Sequence, residues 1–240
     1  MIDIFVYYNG EIMRKIGLII CILLLGLFVK SEARQTRLTG VKVVLDAGHG
    51  GFDNGAIEYG YKEDDLNLKI VLKLKKVLER EGAKVYLTRD GDYDMTKRNH
   101  HYSKQDDMYL RVKKIDSYHA DYLISIHQNA STNKSAWGSQ IFYYYNSNKA
   151  KKLASNIDKS IKEISNSNKP ISGSGFRVLR ATKTLGVLIE CGFISNYNEC
   201  GQLRNNSYQN RLCEAICDGL VRYHKKVINN EKKEIEKVLE

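Results

Sequence analysis

At 240 residues the chain can carry one α/β domain with a sizeable core. Its net charge of +10 and pI of about 9.2 suit an anionic partner, such as nucleic acid, anionic lipid or an acidic wall polymer. No strong basic cluster is interleaved with aromatics, so most of this charge reads as a solvated surface and nucleic acid is not expected.

From Met13 the sequence runs "MRKIGLIICILLLGLFVKSEARQ". Arg14 and Lys15 precede Ile16 to Val29, an apolar run of fourteen residues. That is short for a membrane span and right for the core of a signal peptide. Ser31-Glu32-Ala33 offers a small-x-small cleavage site, so the leader is either removed or kept as an anchor. Any membrane contact is expected to run through it. Cys21 has no small residue before it, which argues against a lipid-anchored cysteine. Residues 1–12 read as an extension upstream of a start at Met13.

Beyond Ala33 the elements alternate. Val41 to Asp46 is a β-branched, apolar strand that ends in the glycine loop of "VVLDAGHGGFDNGA". "EDDLNLKIVLKLKKVLEREG" spaces Leu66, Ile70, Leu74 and Val77–Leu78 as a helix, with acids in its first turn and Gly82 past its end. "AKVYLTRD" is a second strand, followed by a charged loop over residues 90–108 and a helix from about Leu110 to Tyr118. "ADYLISIHQNA" and "SQIFYYYN" are further strands, and "NSNKAKKLASNIDKSIKEIS" is a helix. "GFRVLR" and "LGVLIECG" read as two more strands, before the long amphipathic helix "SYQNRLCEAICDGLVRYHKKV". This alternation gives an α/β fold with a mostly parallel sheet covered on both faces. Cys191, Cys200, Cys213 and Cys217 form no tight framework and read as small buried groups, with a disulfide left open.

Three apolar strands end in polar groups: the first at Asp46 to His49, the third at His127, the last at Glu190. If the strands are parallel, these groups reach one edge of the sheet, where ligands of open α/β sheets bind. Buried charged groups need partners, so convergence points to a shared ion or shared chemistry. Glu63, at the start of the first helix, can join them. Two histidines and a carboxylate with an open fourth position form a catalytic zinc pattern, although copper or iron use similar ligands. A second carboxylate can then take a proton from water. Zinc suits hydrolysis outside the cell. His119, His224 and the pair His100–His101 stand away from strand ends and read as non-ligands. Arg89 and Arg111 read as structural partners of nearby acids, or as holders of an anionic substrate.

In order, "VVLDAGHGGFDNGA", "GYKEDDLNL", "VYLTRD", "ADYLISIHQNA", "GSQIFYYY" and "VLIECGFISNYNE" resemble the motifs of the zinc-dependent N-acetylmuramoyl-L-alanine amidases. The resemblance runs from about Val41 to Tyr223. It implies Zn²⁺ on His49, Glu63 and His127, with Glu190 as the catalytic glutamate. It also implies Asn129 as a substrate or supporting contact and a twisted sheet of about six strands. Asp46 is expected to orient the histidine loop rather than bind metal. The sequence departs from the family at Gln128, where alanine is common, and at Leu185-Gly186, where a proline usually precedes the strand. Neither departure is expected to touch a ligand or the catalytic carboxylate.

The expected organisation is residues 1–33 as extension and leader, 34–228 as a zinc amidase domain and 229–240 as a charged tail, helical or disordered. The expected substrate is peptidoglycan, in an extracytoplasmic cell wall or spore envelope. A leader and one domain without wall-binding repeats resemble the spore-cortex, germination-specific amidases. The alternatives are a zinc peptidase acting on stem-peptide bonds and a wall-binding protein without catalysis. Some family members carry a helix that plugs the site after the strand matching "SQIFYYY", but here "NSNKA" leads straight into the next helix. Control is therefore expected from outside the domain, from a positioning or activating protein.

Overall fold

β1 (Lys42–Ala47) is buried at every position after its first, as a strand covered on both faces must be. The computed structural model describes residues 36–96 and 103–239. The leader, His100 and His101 lie outside the described residues. The remaining strands are β2 (Ile57–Glu58), β3 (Tyr61–Lys62), β4 (Lys84–Leu87), β5 (Tyr122–Asn129), β6 (Gln140–Tyr144), β7 (Ser172–Ser174) and β8 (Leu185–Phe193). Six of them form one sheet in the order β4-β1-β5-β8-β6-β7. β4, β1, β5 and β8 run parallel, and β6 is antiparallel to β8. β2 and β3 form a separate hairpin just before the first helix.

The helices are α1 (Glu63–Arg80), α2 (Lys104–Ser117), α3 (Asn148–Ser165), α4 (Arg177–Arg180), α5 (Tyr197–Arg204) and α6 (Asn206–Leu239). Alternate strand residues face opposite sides. Val43, Leu45, Ile124 and Ile189 pack with apolar residues of α1, α3 and α6. Val44, Leu123 and Leu188 pack on Ile115 of α2 and on Val178 and Leu179 of α4. Cys191, Cys200, Cys213 and Cys217 are all free and buried in the first of these cores.

Three local readings change. "GFRVLR" is not a strand: Leu179 and Arg180 donate their N–H groups to the Phe176 carbonyl, forming the single turn α4. Four residues are too few to show a helical period, and adjacent buried Val178 and Leu179 mimic a strand. The sixth strand is instead β7, "SGS", which has no apolar signal and pairs through its backbone with β6. The loop read over residues 90–108 is cut short by α2, whose first turn is capped by the Ser103 hydroxyl accepting from Asp106 N–H. The inner face of α2 carries Asp107, Arg111 and Ile115, so an ion pair stands where an apolar stripe would announce a helix. The charged tail is a helical extension of α6 as far as Leu239.

α3 and α6 approach so closely that a Cβ on Gly219 would lie 2.4 Å from the Ile157 Cα. For Gly219→Ala, helix propensity favours alanine by about 1 kcal/mol. Overpacking against backbone costs about 1–3 kcal/mol or more. The expected result is a net loss of stability in urea unfolding; a more stable variant would show that the two helices part freely.

Candidate metal centre

The carboxyl ends of β1, β5 and β8 stand level. Ile126 pairs with Ala47 on one side and Ile189 on the other, and His127 pairs with Glu190. The loop after β1 brings in His49, and the N-terminus of α1 brings in Glu63. Glu63 Oε1 lies 3.2 Å from His49 Nε2 and 3.1 Å from His127 Nδ1. One ligand atom from each residue falls within 4.8 Å of the others. Ligand atoms about 2.0–2.1 Å from a tetrahedral ion would be about 3.3–3.4 Å apart, close to the two distances from Glu63 to the imidazoles. The donor set of two imidazoles and a carboxylate fits a zinc-type metal.

Glycine at position 48 is a requirement of space: a Cβ there would stand 2.2 Å from His127 Cε1. The same loop puts His49 at φ +61, a left-handed conformation that costs a non-glycine residue about 1–3 kcal/mol. Two buried arginines hold it there. Arg111 Nη1 donates to the Ala47 carbonyl at 2.8 Å, and Nη2 donates to the His49 carbonyl at 3.0 Å. Arg89 donates to the carbonyls of Ala47, Gly48 and Asp64 at 3.0, 2.9 and 2.7 Å. Arg111 pairs with Asp46 and Asp107, as read from sequence, whereas Arg89 bonds to main-chain carbonyls. Neither is exposed to a substrate.

Asp46 does not reach a histidine ring. Its Oδ1 accepts from Arg111 and Thr88, and its Oδ2 from Ser125, each within 2.8 Å. Burial alone would raise its carboxyl, but the Arg111 charge and the Ser125 hydroxyl outweigh that and hold it at about 2. Besides Glu63, an acid that stands beside a ring is Asp53, whose Oδ2 is 2.9 Å from His49 Nδ1 although off the N–H axis. Sequence reasoning missed it; the signal was an acid four residues past the histidine inside a glycine loop. Burial would lower His49, but Glu63 and then Asp53 outweigh it and raise the imidazole to about 9. The Glu63 carboxyl is displaced downward: burial opposes this, and both histidines overcome it.

Glu190 Oε2 is buried and has no hydrogen-bond partner among the described residues. Burial lifts its carboxyl to about 7; His127 opposes the rise and Glu63 adds to it. Such an atom, level with His127, awaits a group that the protein does not supply. Asn129 ends β5 half-buried beside a register shift, and its carbonyl accepts from Ile194 N–H at 2.8 Å. Gln128 departs from its sequence reading, because its N–H donates to Glu63 Oε1 at 3.1 Å. Leu185 and Gly186 open β8, at the far end of that strand. His119 is exposed past the end of α2, and His224 bonds to Tyr122 at the start of β5.

Removing Arg111 would leave the Asp46 carboxylate buried without its counter-charge. Arg111→Met is expected to cost about 3–5 kcal/mol in denaturant unfolding. Adding Asp46→Asn should recover part of that loss. A variant as stable as the parent would show that the pair does not anchor the histidine loop.

Residues 43–222 match the N-acetylmuramoyl-L-alanine amidase family. The germination-specific N-acetylmuramoyl-L-alanine amidase of Bacillus subtilis is 33% identical over 193 residues, which cover 78% of this chain and 81% of that protein. Among solved structures, the CwlD amidase of Clostridioides difficile, in complex with the GerS lipoprotein, superposes with a TM-score of 0.72 at 32% identity. That match covers 77% of this chain and 98% of CwlD. The catalytic domain of CwlV, an N-acetylmuramoyl-L-alanine amidase from Bacillus (Paenibacillus) polymyxa, gives 0.68 at 29% identity over 77% and 98% of the two chains. With the match spanning β1 to α6 and every strand end that builds the site, the chain belongs to the N-acetylmuramoyl-L-alanine amidase family.

Proposed function

We propose that the domain cleaves the amide between N-acetylmuramic acid and L-alanine in peptidoglycan with a zinc ion on His49, Glu63 and His127. The observation that carries this reading is the orphaned Glu190 Oε2 at the strand end that also presents the His–Glu–His cluster. When bound, zinc supplies a Lewis acid and a water of lowered pKa.

Glu190 does the proton work. Its carboxylate takes a proton from the water that attacks the lactyl carbonyl, and returns one to the departing amine of L-alanine. Burial raises this carboxyl in the metal-free site, which strengthens it as a base and helps it hold a proton for return, while a cation beside it would draw it back down. Asn129, half-buried two residues past His127 at the end of β5, is assigned to substrate contact. Asp46 acts at a distance, by holding Arg111 against the histidine loop.

Peptidoglycan as substrate calls for work outside the cytoplasm, with residues 1–33 as an upstream extension and a signal peptide or membrane anchor, and 34–228 as the amidase domain. Among the described residues no helix is long and apolar enough to cross a membrane. The germination-specific relative supports a role in the spore cortex. The lipoprotein bound to CwlD supports a partner protein that positions or activates the enzyme.

Three measurements test this reading. Glu190→Gln should fold and bind zinc yet lose about 10²–10⁴ in rate, the usual share of general acid–base catalysis. Mass analysis of digested peptidoglycan should show the parent freeing whole stem peptides with an L-alanine amino end. New amino ends inside the stem would indicate a peptidase instead. The third measurement is the pH dependence of zinc affinity. Metal must displace the proton that His49 holds up to about 9, so affinity should climb by as much as tenfold per pH unit from 7 to 9. A flat profile would show that His49 carries no proton for the metal to displace above pH 7.

A further inference from the structure

Glu63 is held by more than the two histidines. Its Oε2 accepts from Ala56 N–H at 3.0 Å. Its Oε1 accepts from Gln128 N–H at 3.1 Å and from Asn67 Nδ2 at 3.3 Å. The first two donors are main chain and are fixed by the fold. The third is an amide that could turn over, exchanging its nitrogen for its oxygen.

Both groups facing the Asn67 nitrogen only accept: Glu63 Oε1, and the Gly48 carbonyl at 3.1 Å. A turned amide would set its oxygen against the ligand carboxylate and against the backbone of the histidine loop. Gln128 secures the same direction from the other side, its Nε2 donating to Asn67 Oδ1 at 3.0 Å. Both side chains are buried, Asn67 at 0% and Gln128 at 2% exposure. This choice leaves Gln128 Oε1 without a hydrogen bond among the described residues. The Nε2 bond to Asn67 is therefore the hydrogen bond that this side chain makes toward the metal site. Alanine, common at this position in the resemblance, could make none of these side-chain contacts.

We propose that Gln128 is a positioning residue for the metal centre: it locks the Asn67 amide so that its NH₂ group faces Glu63 and the Gly48 carbonyl. The ligand carboxylate is thereby set in place before metal arrives. This inference rests on the reading of His49, Glu63 and His127 as the zinc site.

The test is zinc affinity, measured by chelator competition on the purified full-length chain, for the parent, Gln128→Met, Asn67→Ala and the double variant. Gln128→Met keeps bulk and removes the donor. It should weaken zinc binding by about 10–100-fold, the usual effect of losing a partner that orients a ligand. In the Asn67→Ala background the same change should cost less than about threefold, because the effect runs through Asn67. Gln128→Ala serves if the methionine variant does not fold, with the same loss expected. A merely structural role would lower the melting temperature of the metal-free protein and leave the affinity of the folded fraction unchanged. Parental affinity in a folded Gln128 variant, or equal losses in both backgrounds, would overturn the proposal. A parent chain that binds no zinc would overturn the reading of the metal site itself.

Discussion

One line of register across the sheet decides the rest: Ala47, Ile126 and Ile189 stand side by side on three parallel strands. It makes β1, β5 and β8 end level, with His127 beside Glu190 and the histidine loop leaving just above them. A slip of one residue would turn His127 or Glu190 to the other face of the sheet and put an apolar side chain in its place. The apolar residues below prevent that slip. Val43, Leu45, Ile124 and Ile189 face one set of helices while Val44, Leu123 and Leu188 face the other, so either face would lose its core.

Above this line the chain is held by charge. The histidine loop needs a left-handed residue and close backbone contacts, so it is not self-supporting. Arg111, tied to buried Asp46 and Asp107, grips two of its carbonyls, and Arg89 grips a third and shares one with Arg111. Buried ion pairs add little net stability compared with apolar packing, but they fix geometry when every lone pair and proton is used. That is their place here: they set where His49 stands, while the sheet sets where His127 and Glu190 stand.

This division explains what the sequence made legible. Strands and helices with an apolar period were visible, and so were the groups at their ends, because His49, His127 and Glu190 each interrupt an apolar pattern. The start of α2 was hidden because its buried face is written as Asp107 and Arg111. β7 was hidden because "SGS" contributes only backbone, and the hairpin of β2 and β3 because two-residue strands have no period. The parts of the site that escaped notice are relations rather than residue types. Nothing in "HQN" says that the glutamine turns toward Asn67 on α1, and nothing in "GGFDNG" says that Asp53 folds back on His49.

The four thiols of the core bring a different constraint. Cys191, Cys200, Cys213 and Cys217 are reduced and enclosed in the folded domain, and burial pushes Cys213 and Cys217 up to about 12. At neutral pH almost none of either is thiolate, so these two buried thiols are inert to alkylating reagents and mild oxidants. Unfolding releases all four at once into whatever redox surroundings the chain occupies. In an oxidising medium a chain that stayed open long enough would cross-link, and unfolding would then become a one-way step. The lifetime of this protein outside a reducing compartment is then governed by how seldom its core opens, rather than by the equilibrium between folded and unfolded forms.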